Sequence, residues 1–394
     1  MKIIVLLENN VQSGGAFNQG INAILQMKAI CRDNFELQVF SIKKENIEYL
    51  ANFGIICKWV PLKFLDRVFA FLQNFKIWQI LQKRIRILSP LEKTLKLNSC
   101  DLVYFLTQSS TASIIQDTNF IATVFDVCHR EMVEFPEVRS FGKFRSIEKF
   151  FSETLPAAAI VITESEKLSE ALIQYYGVDP KRCLAMPMNK SPYVAEYGAD
   201  DEKILAKYNL VTGYYFYPAQ FWAHKNHMRI LEALILLREE GLIFNVVFVG
   251  GDKGNRSYVE DFIAKNLLQN QVRILGFVPA EDMNGLYYGS VAVVMPTYFG
   301  PTNLPPLEAW FFRRPLIYSE GMNDQAGNAA IYVDPDSSRD ISLAMKACLD
   351  KDTYDILIEQ GIMRLKYFNS LRELSEIKLK KMLIKYENRR RCWG

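Results

Sequence analysis

The sequence predicts an α/β protein made of two doubly wound domains. Short runs of β-branched and apolar residues alternate with segments of helical spacing, and this alternation starts again after residue 213. A chain of 394 residues also exceeds one average domain. We expect residues 1–187 and 213–370 to form Rossmann-like domains that face each other across a cleft. Residues 188–212 would link them, and helix 371–394 would pack back on the first domain.

Composition excludes several classes of protein. The net charge of +3 argues against a dedicated nucleic-acid binder. The 7 cysteines show neither CxxC nor CxxH spacing, so the sequence indicates neither a zinc site nor a disulfide framework. No signal peptide and no run long enough to span a bilayer are visible, which favours a reduced, cytoplasmic setting.

Buried strands and intervening helices define the first half. The helix ending at Tyr176 is stopped by Gly177, with Pro180 beyond it. Adjacent Gly14 and Gly15 join the first strand to the first helix, where backbone can approach a ligand at the sheet edge. An ordinary tight turn is the alternative. The predicted strands are Ile3–Leu7, Glu36–Ile42, Ile55–Val60, Asp101–Leu106, Phe120–Phe125 and Ala157–Thr163, the helices are Ala16–Ala29 and Ser165–Tyr176, and Cys183–Met186 closes the half.

Phe64–Leu97 differs from its surroundings because it combines aromatic, aliphatic and basic residues with few acids. We predict a helical stretch here. Such a stretch can lie in an anionic membrane interface. A packed helix with a solvated basic face is the alternative.

His129 lies just after the predicted strand Phe120–Phe125. A histidine at the carboxyl edge of a sheet can meet a substrate and titrate near neutral pH. A structural histidine is the alternative, and Asp126 is the competing local acid or base. The following segment, Glu131–Phe151, is polar and aromatic and is expected to be mobile.

The second half repeats the alternation after the linker region. We place the linker itself at Pro187–Asp200, and the short helix Glu202–Tyr208 follows it before residue 213. Each strand is a short apolar run, and each helix has an apolar stripe. The predicted strands are Tyr214–Tyr217, Asn245–Val249, Val272–Leu275, Val291–Met295, Pro315–Tyr318 and Ala330–Val333, and the helices are Glu202–Tyr208, Met228–Glu240, Tyr258–Leu268, Glu281–Gly289, Leu304–Phe312, Ile341–Leu349, Tyr354–Tyr367 and Leu371–Tyr386.

The loop Pro296–Asn303 joins a buried strand to a helix start. Unpaired amides and the helix dipole favour an anion at such a place, so the N–H groups of Thr302, Asn303 and Leu304 could face a phosphate. Glu308, which we place in the first helical turn, could accept hydrogen bonds from ribose hydroxyls. Together these contacts describe a nucleotide. The alternative is that Glu308 favours the helix dipole and touches nothing.

Lys225 follows the strand Tyr214–Tyr217 and lies near a predicted helix start. A lysine here can neutralise a diphosphate as a point charge; a solvated surface lysine is the alternative. The flanking His224 and His227 lack the spacing of a helical metal pair, so we propose no metal site.

Several stretches together resemble the retaining GT-B glycosyltransferases of family GT4. They are the Gly14-Gly15 loop, AQFWAHKNHMRILEAL and GPTNLPPLEAW. The likeness continues through FDVCHREMVEFPE, ITESEKLSEALIQYYGV, VRILGFVPAEDMNGLYYGSVAVVMPTYF and GNAAIYVDP. It covers most of the chain except Glu45–Leu97, and it is strongest toward bacterial transferases that build O-antigen-like or capsular polysaccharides.

The resemblance implies transfer of a hexose-type sugar from a nucleotide diphosphate donor, with retention and without a bound metal. His129 would lie beside the transferred sugar, Lys225 would bind the diphosphate, and Glu308 would hold the ribose; these are the expected catalytic residues. Phe277 and Val278 fall where the nucleobase usually lies. The full expected donor site is Gly14, Gly15, Gln220, Lys225, Gly250, Phe277, Val278, Thr302, Asn303, Leu304 and Glu308.

Two positions depart from the family pattern. The E-x7-E motif needs an acid eight residues before Glu308, where this chain has Gly300. The family also usually has arginine five residues before the lysine, where this chain has Gln220. Lys225 would therefore bear more of the phosphate charge alone.

The expected function is therefore a metal-independent retaining glycosyltransferase of bacterial surface polysaccharide synthesis. Its partners would be a nucleotide-sugar donor and a glycan or lipid-linked oligosaccharide acceptor, with no cofactor and no nucleic acid. We expect a cytoplasmic protein, with contact to the inner membrane through residues 64–97 and the basic C-terminus as a further hypothesis. The alternative, motivated by Gly300 and Gln220, is a non-catalytic nucleotide-sugar-binding or scaffold protein on the same fold.

Overall fold

The computed structural model describes residues 1–194, 201–300 and 302–393, without the side chains of Lys83 and Asp201. The chain divides into two compact units. Unit 1 contains residues 1–131, 141–187 and 371–394, and unit 2 contains 132–140 and 188–370. Residues 195–200 of the predicted linker lie outside the described part of the chain.

Unit 1 is built on a seven-stranded parallel sheet with the strand order β3-β2-β1-β4-β5-β6-β7. Its inner strands are buried along most of their length, as expected for a sheet covered by helices on both faces. The strands are β1 Lys2–Leu7, β2 Glu36–Ser41, β3 Cys57–Trp59, β4 Leu102–Phe105, β5 Asn119–Val124, β6 Ile160–Thr163 and β7 Cys183–Ala185.

Unit 2 is built on a six-stranded parallel sheet with the order β10-β9-β8-β11-β12-β13. In each sheet the strand order reverses once, between β1 and β4 and between β8 and β11. The prediction of two doubly wound α/β units is confirmed. The strands are β8 Tyr214–Pro218, β9 Val246–Val249, β10 Val272–Gly276, β11 Ser290–Met295, β12 Leu316–Ser319 and β13 Ile331–Val333.

The α-helices follow the strands in the alternation that the sequence indicates. In chain order they are α1 Gly15–Cys31, α2 Asn46–Ala51, α3 Phe64–Leu72, α4 Lys76–Ile85, α5 Pro90–Leu97, α6 Cys128–Glu131, α7 Pro136–Arg139, α8 Lys143–Lys149, α9 Glu166–Tyr176, α10 Asp201–Lys207, α11 His227–Glu239, α12 Arg256–Lys265, α13 Met283–Gly289, α14 Leu304–Phe311, α15 Asn323–Ala326, α16 Ser338–Ala347 and α17 Lys351–Arg390. Short 3-10 or π turns occur at Val11–Ser13, Ser110–Ile114, Ser140–Gly142, Phe150–Thr154, Leu155–Ala157, Pro180–Arg182, Ala223–Lys225 and Ala280–Asp282.

The structure adds detail to three predicted segments. Phe64–Leu97 is helical as predicted, but it forms three helices, α3, α4 and α5. Ser89 caps α5, which has Pro90 in its first turn. Glu131–Phe151 contains α7 and α8, and its mobility stays a prediction. The two helices predicted between Tyr354 and Tyr386 are one helix of 40 residues, α17.

The predicted first domain, residues 1–187, includes nine residues that the structure groups with unit 2. Met132–Ser140 lies there because Phe135 packs its ring on Tyr298 and Phe299. The last turns of α17 belong to unit 1, where Leu379 and Leu383 are fully buried in the core. Within the described part of the chain, every helix is too short or too polar to cross a bilayer.

Candidate functional site

The sheet of unit 2 has its topological switch point between β8 and β11. Ligands of open α/β sheets bind outside the carboxyl ends of the strands at such a point. The loops that leave these two strands are Ala219–Asn226 and Pro296–Asn303. They carry Lys225 and the candidate phosphate-binding residues that the sequence indicated.

Lys225 contacts the start of α14 directly. It ends the 3-10 turn Ala223–Lys225, and its Nζ donates a hydrogen bond of 3.0 Å to Oδ1 of Asn303. Asn226, at φ 57°, donates from Nδ2 to the carbonyl of Pro296 at 2.9 Å. The two loops are therefore joined, and the sequence-based expectation that Lys225 lies close to the loop after β11 agrees with the geometry.

Asn303 is the N-cap of α14, but its amide is not available as expected. The backbone N–H of Asn303 donates to Oε1 of Gln325 at 2.9 Å, and the Gln325 side chain returns a bond to the Asn303 carbonyl at 2.6 Å. The prediction that this N–H faces a phosphate is therefore wrong for the structure as it stands. Thr302 is half-buried, and Leu304 is buried as the first residue of α14.

Glu308 lies in the second turn of α14, not in the first as predicted. Only 2% of the residue is exposed. Its Oε1 accepts a hydrogen bond from the Ser191 hydroxyl, and its Oε2 accepts one of 2.5 Å from the Tyr287 hydroxyl. Burial raises the pKa of Glu308, although both hydroxyls oppose that shift. The alternative in which Glu308 touches nothing is excluded, because its carboxylate is a buried acceptor of hydroxyl groups.

Gly250 follows β9 and lies against the loop after β8. A Cβ atom at Gly250 would come within 2.2 Å of the carbonyl oxygen of Ala219, so only glycine fits this close approach. The side chain of Gln220 accepts a hydrogen bond of 3.1 Å from the Trp222 indole. Farther along, Phe277 is half-exposed and Val278 is buried.

Gly300 holds a conformation that explains why no acid stands there. Its φ of 97° lies in the region that side chains rarely adopt, and its carbonyl accepts a hydrogen bond of 2.6 Å from Nδ2 of Asn303. Gly300 therefore contributes a backbone conformation and a carbonyl acceptor to this loop. In the described residues of this loop, no carboxylate replaces the family's missing acid.

Unit 1 has its own switch point, between β1 and β4. Gly14 has a φ of 62°, and Gly15 begins α1. Beside them, Glu8 follows β1 and hydrogen-bonds with Ser109 and Thr111 of the loop after β4. Oε2 of Glu8 is buried without a hydrogen-bond partner, and burial raises the pKa of this carboxyl group.

His129 lies in α6, just after β5, as predicted, but its ring is enclosed. Only 3% of the residue is exposed. Its Nε2 lies 2.9 Å from the Tyr176 hydroxyl and 3.1 Å from Oε2 of Glu148, which also pairs with Arg130. Burial lowers the pKa of His129 against the opposing effect of Glu148. Asp126, the competing acid, accepts a hydrogen bond of 3.0 Å from the Cys128 N–H and so caps this turn.

Sequence reasoning missed the partners of these residues. Ser191 and Tyr287 meet Glu308 from segments 117 and 21 residues away. Glu137 contacts His224 from a segment 87 residues earlier in the chain. No local pattern marks such pairs, because each depends on how distant elements pack.

Comparisons with known proteins agree with this architecture. Residues 213–351 match the family model described as Glycosyl transferases group 1. The structure superposes on that of Anabaena Alr3699/HepE in complex with UDP-glucose, with a TM-score of 0.72 and 17% identity over 97% of this chain and 100% of that one. The GT-B fold class and the resemblance to glycosyltransferases are confirmed.

Two curated relatives are similar in sequence over part of the chain. The chain is 25% identical to O-antigen chain mannosyltransferase B of Escherichia coli over 240 residues, which are 59% of this chain. It is 24% identical to O-antigen chain mannosyltransferase RfbU of Salmonella typhimurium over 170 residues, which are 40% of this chain. The matched part spans 63% and 47% of the length of these relatives.

Proposed function

We propose that this chain is a retaining glycosyltransferase of the GT4 type, which moves a hexose-type sugar from a nucleotide diphosphate donor to a glycan or lipid-linked acceptor of a bacterial surface polysaccharide. One observation carries the proposal. Lys225 is bonded to the N-cap of α14, the helix that carries Glu308, at the switch point of a doubly wound sheet. A cation and a buried acceptor of hydroxyl groups at this edge of the sheet would suit the diphosphate and the ribose of a nucleotide.

In this proposal the diphosphate lies against Lys225. The Asn303 N–H is bonded to Gln325, and Gln220 is neutral, so the ammonium group supplies most of the stabilising charge. Negative charge grows on the diphosphate as the glycosidic bond breaks. A fixed cation at that place lowers the barrier more than it tightens ground-state binding.

Glu308 would hold the ribose when a hydroxyl group of the sugar takes the place of a protein hydroxyl on its carboxylate. Both of its oxygens already accept hydrogen bonds from hydroxyls, those of Ser191 and Tyr287. A ribose hydroxyl that replaces Ser191 leaves the number of bonds to the buried carboxylate unchanged. The exchange therefore avoids the cost of an unpaired buried charge.

The acceptor would bind at the switch point of unit 1. Glu8 offers a buried carboxyl oxygen there, with hydroxyl side chains beside it. His129 follows the next strand of the same sheet. A site lined by a carboxyl group and hydroxyls suits a sugar, whose hydroxyls both donate and accept hydrogen bonds.

Retention would follow if the acceptor oxygen attacks the anomeric carbon on the same face from which the leaving group departs. The bond between the anomeric carbon and the phosphate oxygen breaks, and the acceptor oxygen bonds to the same face. The acceptor proton passes to the departing phosphate.

The reaction needs no metal in this scheme. We therefore expect the rate of transfer to be unchanged in excess EDTA. Loss of activity that Mg²⁺ restores would contradict this expectation.

The direct test is product analysis. The protein is incubated with a mixture of nucleotide sugars and a lipid-linked oligosaccharide extract, and the products are analysed by mass spectrometry. We expect an acceptor heavier by one hexose-type residue, with the anomeric configuration of the donor. Absence of transfer and hydrolysis with every donor would contradict the proposal.

A non-catalytic nucleotide-sugar-binding protein is the second candidate. Gly300 favours it, because its backbone conformation excludes the acid that the family uses toward the donor sugar. Tight donor binding without turnover would support this candidate over the first.

Contact with the inner membrane is a further part of the proposal. Helices α3 and α4 expose large apolar side chains, with Ile77 83% exposed, among basic residues. Such a surface can insert apolar side chains between anionic head groups. The exposed apolar residues of this surface are Phe64, Leu65, Phe71, Phe75, Ile77, Ile80, Leu81 and Ile85.

Vesicle flotation tests this contact. We expect binding to vesicles of phosphatidylglycerol and phosphatidylcholine but not of phosphatidylcholine alone, weakened by salt. The double variant Ile77→Glu/Ile80→Glu should lose binding, whereas Ile356→Glu, which changes a 59% exposed isoleucine of unit 2, should keep it. Equal binding by all three proteins would exclude α4 as the contact.

A further inference from the structure

Met132–Ser140 connects α6 to α8, two helices of unit 1, yet it lies in unit 2. The segment includes α7 and begins three residues after His129. Its side chains do not form a separate core. They pack on the two loops that form the candidate nucleotide site.

Glu137 is the polar anchor of the segment. Its Oε1 accepts a hydrogen bond of 3.0 Å from the backbone N–H of His224, and the same oxygen accepts a short one from Nδ1 of the His224 ring. Burial lowers the pKa of His224 to about 4, so the ring is neutral at pH 7. Burial pulls the pKa of Glu137 upward, but the bonds from His224 outweigh it, and the carboxylate is ionised.

Aromatic rings also contact His224 and the loop after β11. Phe135 lies 5.3 Å from Tyr298 and 5.4 Å from Phe299, measured between ring centroids. The His224 ring stacks on Phe299 at 3.8 Å. The His224 carbonyl accepts the N–H of Tyr298 at 2.9 Å. His224 is therefore fixed at its backbone N–H, its carbonyl and its ring.

The next residue is Lys225. Fixing both polar groups of the His224 backbone fixes the turn Ala223–Lys225, from which the lysine side chain leaves. The family's usual arginine is absent here, so the placement of a single ammonium group decides how well a diphosphate is held.

We propose that Glu137 is a positioning residue: it anchors the turn that presents Lys225 and so determines how tightly the diphosphate of the donor is bound. The inference rests on the proposed function, because it assigns the diphosphate to Lys225. It adds a residue at the end of the stretch FDVCHREMVEFPE, which supplied no residue to the predicted donor site.

Two substitutions distinguish the effect of the length of the Glu137 side chain from the effect of its charge. Glu137→Gln keeps the length of the side chain and an oxygen that accepts both bonds, but it removes the charge. Glu137→Asp keeps the charge but withdraws the carboxylate by one methylene. If Glu137 positions the turn, the Glu137→Asp variant should bind the nucleotide more weakly, and the Glu137→Gln variant should bind it as wild type does. If its charge alone matters, Gln should change binding most and should tighten it, because a negative charge near the phosphates disappears.

Binding is measured by calorimetry of the full chain with UDP, GDP and dTDP as probes. We expect Glu137→Asp and Glu137→Ala to raise the Kd of the nucleotide that binds best about tenfold, and Glu137→Gln by less than about threefold. Glu134→Ala, which removes an exposed acid of the same segment, should leave the Kd unchanged.

A double-mutant cycle shows whether the effect passes through the lysine. In a Lys225→Met background, Glu137→Asp should change the Kd less than about twofold, since the group that it positions is gone. An equal loss in both backgrounds, or wild-type binding by Glu137→Asp, would overturn the inference. Failure of the wild-type protein to bind any of the three nucleotides would overturn the proposed function, and the inference with it.

Discussion

Asn303 shows how much a single side chain at a helix start can organise. Its Oδ1 accepts the bond from Lys225, and its Nδ2 donates to the Gly300 carbonyl and, at 2.7 Å, to the Tyr318 hydroxyl. Its N–H is bonded to Gln325. The sequence indicated a helix start with unpaired amides, but it could not show that a glutamine 22 residues later occupies one of them.

Lys225 is the residue whose loss should cost most activity. Lys225→Met keeps the aliphatic stem and removes the charge that stabilises the leaving diphosphate. We expect transfer to fall about 10²- to 10³-fold, as for other fixed electrostatic groups. Steady-state rates measure it, with Lys265→Met on the exposed side of α12 as the control. A rate within threefold of wild type would refute the role.

Gly250 tests the packing of the loop after β8. In Gly250→Ala the new methyl group meets the backbone carbonyl of Ala219 at 2.2 Å, and backbone cannot yield as a flexible side chain does. We expect the free energy of unfolding to fall by about 1–3 kcal/mol, measured by urea denaturation. Gly251→Ala, which meets nothing within 4 Å, should be close to neutral. Equal stability of the two variants would contradict this packing.

Single helices were predictable where their start and stop signals are local. Gly177 ends α9 in the left-handed conformation, as the sequence indicated, and Ser165 caps its start by accepting the Leu168 N–H. The end of α17 lacked such signals. Two helices, Tyr354–Tyr367 and Leu371–Tyr386, were predicted here, but α17 runs through the gap between them because Phe368 and Leu379 on either side are buried.

The stop signal of α9 gives a prediction at this scale. Gly177 has a φ of 63° and open space around its Cα, so Gly177→Ala adds no clash but does add backbone strain. We expect a loss of about 1 kcal/mol in the free energy of unfolding. Gly177→Asn should lose less, since asparagine tolerates the left-handed region. Thermal or urea unfolding distinguishes them, and an alanine variant as stable as wild type would disprove the assignment.

At the scale of the molecule, the alternation of apolar runs was enough to predict both sheets. It was enough because a buried parallel strand needs only a short apolar segment between helices. The alternation could not show which residues complete the site. Glu137 and Ser191 reach the candidate site from segments to which the sequence assigned no donor contact, and their partners depend on tertiary packing.

All three histidines of the chain have a lowered pKa, which predicts acid sensitivity. Burial takes the pKa of His224 to about 4 and that of His227 to about 3. Below pH 6.5 these histidines bind protons in the unfolded chain but not in the folded chain. Stability that is present at pH 7 is therefore lost as the pH falls toward 4. His224 alone accounts for roughly 3 kcal/mol.

His227 offers the variant that tests this sensitivity. Its ring stacks on Phe221 at 4.4 Å and is fully buried, and neither ring nitrogen has a hydrogen-bond partner among the described residues, so a phenyl ring removes no hydrogen bond. Melting temperatures of His227→Phe and wild type are compared between pH 7.5 and 4.5. The variant should lose fewer degrees over this range. Parallel curves would show that His227 does not contribute.

The Met132–Ser140 segment also dictates how this protein can be taken apart. A fragment that starts at residue 188 lacks Phe135 and Glu137, and the stacked rings of His224 and Phe299 lose their contacts with these residues. Chimaeras that combine this second half with the first half of a relative inherit a foreign nonapeptide against the same rings. A graft that carries residues 132–140 together with 188–370 keeps the native neighbours of the lysine, and it marks the true exchangeable module of the chain.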